Sequence, residues 1–502
     1  MAKNLIREIT RKTGSLVKSR LGHLSLYREM PTLSGGEIQR LFLNSHLDSR
    51  LDSLIYILDE PTVGLHESEK SDLLKSIVEL RELGNTVIVV EHDRQTIGMA
   101  DHVIDIGPRA GQEGGRLVYQ GGIAGLMECP DSITGSYLSG KTDMPVRKAG
   151  HDWTVNAPVR TLTIRNAKTN NLKNVTIAIP LGGLVGIAGV SGSGKSSLVS
   201  DTLVPLLKGL FHRQKQNGNI EMDQGWNGDA DDSPVTITIA DRLEGAENIG
   251  GYAEISQAPI GRKAGSNPAS YIGIWDKIRA LFAAQPESER KDLSAGHFSF
   301  NSKGACSACG GSGREKIWLG GDFFIHHTCP ECHGKRYNDE ALSVLYQGRN
   351  IVDVLEMSVS DAAVFFNDQP GISHMLAVMN RIGMGYIKLG QPTPSLSGGE
   401  AQRIKLAREI GRRRKAQTLY VLDEPTTGLS LYDTAGLIQL LDELIEKGNP
   451  VVVIEHDPAV LQACDWIVEL GPGGGAEGGR IISEGTPRQL KDNTASITGR
   501  YL

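Results

Sequence analysis

Long apolar runs are missing from this 502-residue chain. No segment reaches the roughly 18 consecutive apolar residues of a membrane helix, so no helical span is expected. The amino-terminal stretch is basic (Lys3, Arg7, Arg11, Lys12), but no apolar segment follows it, and a signal peptide is not expected. Aromatic residues are few, at 5%. Excess positive charge is missing too: the formal net charge is −6, so any surface for nucleic acid must be local. The clearest basic run, Arg412, Arg413, Arg414 and Lys415, reads most simply as a solvated helix end. Cysteine is scarce, and four of the six fall in two Cys-x-x-Cys pairs. That pattern suggests a cytoplasmic protein whose thiols bind metal. Cys129 and Cys464 stand alone and read as buried apolar fillers.

Glycine is abundant, at 60 residues, and it clusters in short motifs. This points to special backbone turns, not to collagen or disorder. The length exceeds one core, so two or three domains are expected.

The chain repeats itself. LSGGEIQR (33–40) returns as LSGGEAQR (396–403), YILDEP (56–61) as YVLDEP (420–425), and VIVVEHD (87–93) as VVVIEHD (451–457). SITGSYL (132–138) returns as SITGRYL (496–502). Asp59 to Asp423, His92 to His456 and Ser132 to Ser496 share one offset of 364. Two homologous halves follow from this constancy. Only the second half shows a phosphate-binding loop, and its counterpart would fall before residue 1.

That loop comprises Gly189, Val190, Ser191, Gly192, Ser193, Gly194, Lys195 and Ser196, with Ser197 next. The apolar run LVGIA (184–188) predicts a buried strand before it, and Ser197-Leu198-Val199 can open a helix after it. The glycines let backbone N–H groups turn toward phosphates, and the helix N-terminus adds positive potential. Lys195 can reach the β and γ phosphates, and Ser196 can ligate Mg²⁺. A second strand, 418–422, ends at Asp423 and Glu424. Asp423 suits the Mg²⁺ shell, and Glu424 is placed to polarise the attacking water. A third strand, 451–454, leads to His456, which can contact the γ-phosphate. Gln257 is the best candidate for a loop glutamine that senses Mg²⁺ and water. Each signature offers a hydroxyl and two open backbone N–H groups at a helix start, a second anion clamp.

Cys306 and Cys309 are separated from Cys329 and Cys332 by 19 residues, a spacing that suits a four-cysteine structural Zn²⁺ site. Four thiolates leave no open position for catalysis. The loop between the pairs carries Arg314, Lys316, Trp318, Phe323, Phe324, His326 and His327. A hairpin of this kind suits DNA contact, and half-buried packing explains its aromatics as well.

Together these stretches resemble the UvrA family, the DNA-damage sensors of the excinuclease ABC system in bacterial nucleotide excision repair. The resemblance is carried by residues 166–198, 256–282 and 296–313 and extends over nearly the whole chain. It implies an α/β, P-loop ABC-type ATPase with tandem nucleotide-binding domains and an inserted zinc-binding module. It also implies a homodimer that uses ATP, Mg²⁺ and Zn²⁺ and binds damaged double-stranded DNA, with no nuclease chemistry of its own. A helicase-like UvrB-type partner is expected only if the missing amino-terminal domain is supplied. The chain looks like the carboxy-terminal portion of such a protein. The expected parts are 1–140, the end of the first ABC domain; 141–160, a linker; 161–275, the start of the second ABC domain; 276–390, the zinc module; and 391–502, the end of the second. A UvrA-like ATPase of drug resistance and an inactive DNA-binding remnant are the rival readings.

Two positions depart from the family pattern. Gly265 stands where a basic residue usually precedes Ser-Asn-Pro, and Ser430 stands where a histidine is common, retained in the first half as His66. In this class each nucleotide lies between the loop of one domain and the signature of the other. One such site is expected within the chain: Gly189–Ser196, Gln257, Asp423, Glu424 and His456, closed by Ser34, Gly35 and Gly36. The second set, Asp59, Glu60 and His92 with Ser397, Gly398 and Gly399, has no loop to grip phosphate and is expected to be idle.

Overall fold

The computed structural model describes residues 2–19, 21–22, 24–30, 35–49, 51–109, 114–145, 147, 153, 160–216, 242–256, 258, 260–261, 265–320, 323–412 and 417–502. Two units emerge. One holds residues 1–106, 117–256 and 414–502, and the other holds 107–116 and 257–413.

The first half opens with helix α1 (Ala2–Lys18) and the signature helix α2 (Gly35–Ser49). The Ser15 and Ser19 hydroxyls donate to Asn44 Oδ1 at 3.1 and 2.8 Å and tie the two helices together. Strand β1 (Ile55–Asp59) runs into helix α3 (Glu67–Glu82) and returns as β2 (Thr86–Val90), parallel to β1. β3 (Val103–Gly107) and β4 (Arg116–Gly121) form a separate pair. His66 caps α3: its side chain accepts from Ser68 N, and Glu69 answers from the third helical position by accepting from His66 N, a capping box.

The second half begins with β5 (Thr161–Ala167), β6 (Val175–Pro180) and β7 (Leu184–Gly189). Helix α4 (Lys195–Leu198) follows, then a π-helical turn and helix α5 (Val204–Gln216). The helix starts at Lys195, two residues before the Ser197 expected from sequence, because Gly194 takes the left-handed N-cap conformation (φ +107°). β8 (Arg242–Glu244) pairs with β5, and β9 (Gly251–Ile255) closes this stretch.

The second unit carries the antiparallel hairpin of β10 (Arg314–Gly320) and β11 (Phe323–Thr328) and the second signature helix α6 (Gly398–Gly411). Ser397 caps α6 in a capping box with Glu400, so the signature serine is held at the helix start. Gly265 also lies here. A Cβ on it would sit 2.8 Å from Asn301 Oδ1, so a larger residue needs Asn301 to move.

The chain then returns to the first unit with β12 (Thr418–Asp423), helix α7 (Leu431–Glu446), β13 (Val451–Ile454), β14 (Trp466–Gly471) and β15 (Arg480–Gly485). Ser430 caps α7, as His66 caps α3. The sheet order is β15-β14-β7-β13-β12-β9. β7 lies between β14 and β13 and is buried at every position, which is what a central parallel strand requires of an apolar run. Leu419, Val421, Val452, Ile454, Val468 and Leu470 pack with Leu162, Ile177, Leu203 and Phe211 in one core. Each large apolar side chain buried here contributes about 1.5–3 kcal/mol.

The first-half strands differ. Ile55, Ile57, Ile88, Val90, Ile104 and Ile106 occupy the repeat positions of those six core residues, and all six are exposed. Leu43 of α2, Leu73 and Leu80 of α3 and Leu65 of the turn before α3 form a cluster against which Tyr56 of β1 and Val87 of β2 pack.

Candidate functional site

The phosphate loop joins the carboxy-terminal end of β7 to α4, the edge at which ligands bind in open α/β sheets. Gly189 is required there: its φ is +132°, and a Cβ would lie 2.1 Å from Leu470 O on β14. Lys195 Nζ donates to Gly189 O at 2.9 Å and to Val190 O at 3.0 Å, so the lysine is folded back on its own loop. Burial pushes its ammonium down from the usual range, while Glu424, Glu69 and Asp423 pull it up. Ser196 is exposed at the start of α4, and Ser193 is fully buried.

Asp423 and Glu424 follow at the end of β12. Burial raises Asp423 to about 6, and the adjacent Glu424 charge adds to the rise against Lys195. A buried carboxyl this reluctant to ionise suits a place where a divalent cation supplies the missing charge. Glu424 stands at φ +47°, outside the comfortable range of a non-glycine residue. Its Oε1 lies 3.2 Å from His456 Nε2. Burial and then Lys195 push His456 down, which makes it a neutral imidazole. Burial opposes ionisation of Glu424, yet the bond from His456 holds its carboxyl below the usual range. We assign Nε2–H as donor to the Glu424 carboxylate. His456 Nδ1 is buried without a hydrogen-bond partner among the described residues, which fits the unprotonated nitrogen of that tautomer.

Residues of the first half reach this site. A Cβ on Gly64 would lie 3.5 Å from Glu424 Oε2, and one on Gly428 would lie 3.4 Å from Glu60 Oε1. The turn after each Asp-Glu pair therefore borders the glutamate of the other half. The Ser191 hydroxyl lies 3.1 Å from Gly64 O and 2.8 Å from Glu69 Oε2. Gly35 and Gly36 begin α2, while Ser34 and Gln257 lie outside the described residues, as do Arg413, Arg414 and Lys415. In the first-half set, His92 Nε2 and Glu60 Oε1 are 3.7 Å apart and more open to solvent than His456 and Glu424. Ser397, Gly398 and Gly399 form the start of α6 in the second unit.

Sequence reasoning missed Glu455 and Glu91. Glu455 accepts from Thr426 N and Oγ1 at 3.0 and 2.6 Å and from His456 N and Asp457 N at 2.8 and 3.1 Å. It locks the Pro-Thr turn after Glu424 to the segment that carries His456. Glu91 accepts from Thr62, His92 and Asp93 in the same way. The signal was present, since both halves read Glu-His-Asp. Also missed was a chain through the repeated tail motif. His66 Nε2 is 3.0 Å from Thr498 Oγ1, which donates to Glu469 Oε1 at 2.8 Å.

In the second unit the thiols of Cys306, Cys309, Cys329 and Cys332 lie within 4.8 Å of one another. The Cys309–Cys332 separation is 3.7 Å, far beyond a disulfide bond. It matches the edge of a tetrahedron with metal–sulfur distances of about 2.3 Å. Gly313 N–H donates to Cys309 Sγ at 3.2 Å and Arg336 N–H to Cys332 Sγ at 3.4 Å. Burial pushes Cys332 up to about 12, and the neighbouring thiols add to the rise, so the full set of thiolates needs a cation. The donor set fits Zn²⁺. The hairpin beyond it exposes Trp318, Phe323 and Phe324, so half-buried packing does not account for these aromatics. Cys464 is buried, as the sequence suggested, but Cys129 is only half-buried.

No family model matches the chain. Curated relatives do match it. UvrABC system protein A of Aquifex aeolicus is 47% identical over 504 residues, covering 100% of this chain and 52% of that protein. The Thermus thermophilus protein of the same name is 45% identical over 507 residues, with 100% and 50% covered. The solved structure of UvrA2 from Deinococcus radiodurans matches with a TM-score of 0.87 at 40% identity, covering 99% of this chain and 57% of that one. The archaeal ribosome recycling factor aABCE1, in complex with a stalk protein, matches at 18% identity with a TM-score of 0.50, a likeness of fold alone. The chain spans about half the length of the curated relatives it matches. It has the α/β fold of P-loop ABC-type ATPases, and along its whole length it is related to about half of UvrABC system protein A.

Proposed function

We propose that the chain is an ATP-dependent DNA-binding ATPase that recognises DNA damage in a UvrABC-type excision repair system, as a carboxy-terminal portion of such a protein. The observation that carries this reading is the relation to UvrABC system protein A along the whole chain, at 47% identity. Residues 189–197 bind the phosphates, and Gly35 and Gly36, with Ser34, close on them from the first half. Ser196 and Asp423 would hold Mg²⁺, which neutralises charge on the phosphate oxygens when bound. Glu424 accepts a proton from the attacking water, and His456 keeps that carboxylate ionised and aimed. Gln257 senses the water. The zinc module is structural, and the exposed hairpin beside it offers aromatic and basic side chains to duplex DNA. The protein works as a homodimer, and it meets a helicase-like partner only if the part of the relatives that this chain does not span is supplied. The domain plan is that of the sequence, with the first-half set Asp59, Glu60 and His92 idle.

Two measurements test the reading. Duplexes with and without a lesion are titrated with the protein, with and without ATP; equal affinity for both under all conditions contradicts damage recognition. Labelled nucleotide is expected to bind tightly at one site per chain, and Lys195→Ala to abolish turnover. Two equivalent tight sites, or persistent turnover in the variant, contradicts the assignment of a single working loop.

A further inference from the structure

Glu69 belongs to the first half, yet it holds the phosphate loop of the second. It is 6% exposed. Its Oε2 accepts from Ser191 N at 3.0 Å, from Ser191 Oγ at 2.8 Å and from His66 N at 3.1 Å. Arg40 Nη1, on the signature helix α2, lies 3.9 Å from its other oxygen. Burial opposes ionisation of Glu69, but the two bonds from Ser191, then Arg40, hold its carboxyl below the usual range. An anion is thus already seated on donors of the loop. Lys195 meanwhile turns back to its own carbonyls.

The seat has a definite side. Ser191 Oγ also lies 3.1 Å from Gly64 O, and a Cβ on Gly64 would lie 3.5 Å from Glu424 Oε2. Ser191 and Glu424 therefore border the same first-half turn at Gly64. A carboxylate and a terminal phosphate cannot share one N–H and one hydroxyl at this spacing, because like charges repel strongly at low dielectric. Release does not strand Glu69, since His66 N–H and Arg40 remain as partners.

We propose that Glu69 is a phosphate-mimicking latch: it occupies Ser191 and yields it only to a nucleoside triphosphate. The latch ties the first half to the state of the loop and makes the site discriminate between triphosphate and diphosphate. It rests on the ATP reading given above. Arg40, on the same helix as Gly35 and Gly36, carries the release of Glu69 toward the signature.

The test is equilibrium binding of ADP and of a non-hydrolysable ATP analogue, each with Mg²⁺, to the whole chain. Glu69→Gln keeps an acceptor for His66 N–H and removes the charge. The variant is expected to bind the triphosphate about tenfold tighter, with ADP changing less than about twofold. Glu69→Ala, which also loses the cap, is expected to shift the same ratio with a lower unfolding midpoint. An equal change for both nucleotides, or a weaker triphosphate in both variants, overturns the latch and leaves the ATP reading intact. A wild-type chain that binds neither nucleotide overturns both.

Discussion

His456 Nε2 sits 3.2 Å from Glu424 Oε1, whereas the matching pair of the first half, His92 and Glu60, is 3.7 Å apart. The closer pair is also the drier one, and it adjoins the phosphate loop. Glu424→Gln is therefore expected to lower kcat by roughly 10²–10⁴-fold, the range of a lost general base, with nucleotide binding retained. Glu60→Gln is expected to change kcat less than about twofold. Steady-state phosphate release with both variants checks this. Equal losses would show that the first-half set is not idle.

The four thiols are arranged for one metal ion, and their charge cannot be held without it. Zinc content is expected to approach one per chain. Cys329→Ala, at a fully buried position, is expected to reduce it to near zero and to expose the second unit to protease. Metal analysis and limited proteolysis with and without chelator check this. A metal-free protein with unchanged fold and DNA binding would remove the structural role.

His66 gives the first unit a pH dependence. Burial lowers it from 6.5 to about 3, with His456 and Lys195 adding to the fall. The folded state holds the imidazole neutral, while the unfolded chain takes up a proton below pH 6.5. Stability is therefore unaffected above that value and is lost as pH falls from about 6.5 toward about 3. At pH 5 the loss from this group is about 2 kcal/mol. Urea unfolding at pH 7 and pH 5 is expected to show a shallower decline in His66→Gln than in wild type, whatever the absolute stability of the variant. Parallel declines would mean that His66 is already protonated in the fold.

Much of this was legible before the structure. Apolar runs ending in Gly189, Asp423 and His456 announced buried strands with chemistry at one edge, because a central parallel strand must be apolar and its end must be polar. The cysteine spacing announced the metal cluster for a similar reason. Contacts between the halves were not legible. Glu69 and Ser191 are 122 residues apart, and nothing in either local pattern marks the other. Glu69 looked like an ordinary first-turn acid, which it also is. Glu455 was hidden by its neighbours, since a buried carboxylate with four donors reads in sequence as one more letter of the histidine motif.

The exposed strands of the first half give the last prediction. Ile55 and Leu419 occupy equivalent positions in β1 and β12, yet Ile55 is 69% exposed and Leu419 is fully buried. Leu419→Ala removes packing against the core built by β5, β6, β7 and α5, and it is expected to cost about 2–5 kcal/mol. Ile55→Ala is expected to stay within about 0.5 kcal/mol, since it removes surface already in water. Ile55 and Ile57 on β1 and Ile88 and Val90 on the neighbouring β2 are exposed β-branched residues of the kind that promotes association. Ile57→Lys is therefore expected to reduce self-association of this chain while leaving its unfolding midpoint nearly unchanged. Light scattering and urea titration, run on the same samples, separate the two effects. A large loss of stability in Ile55→Ala would show that the face is covered in solution.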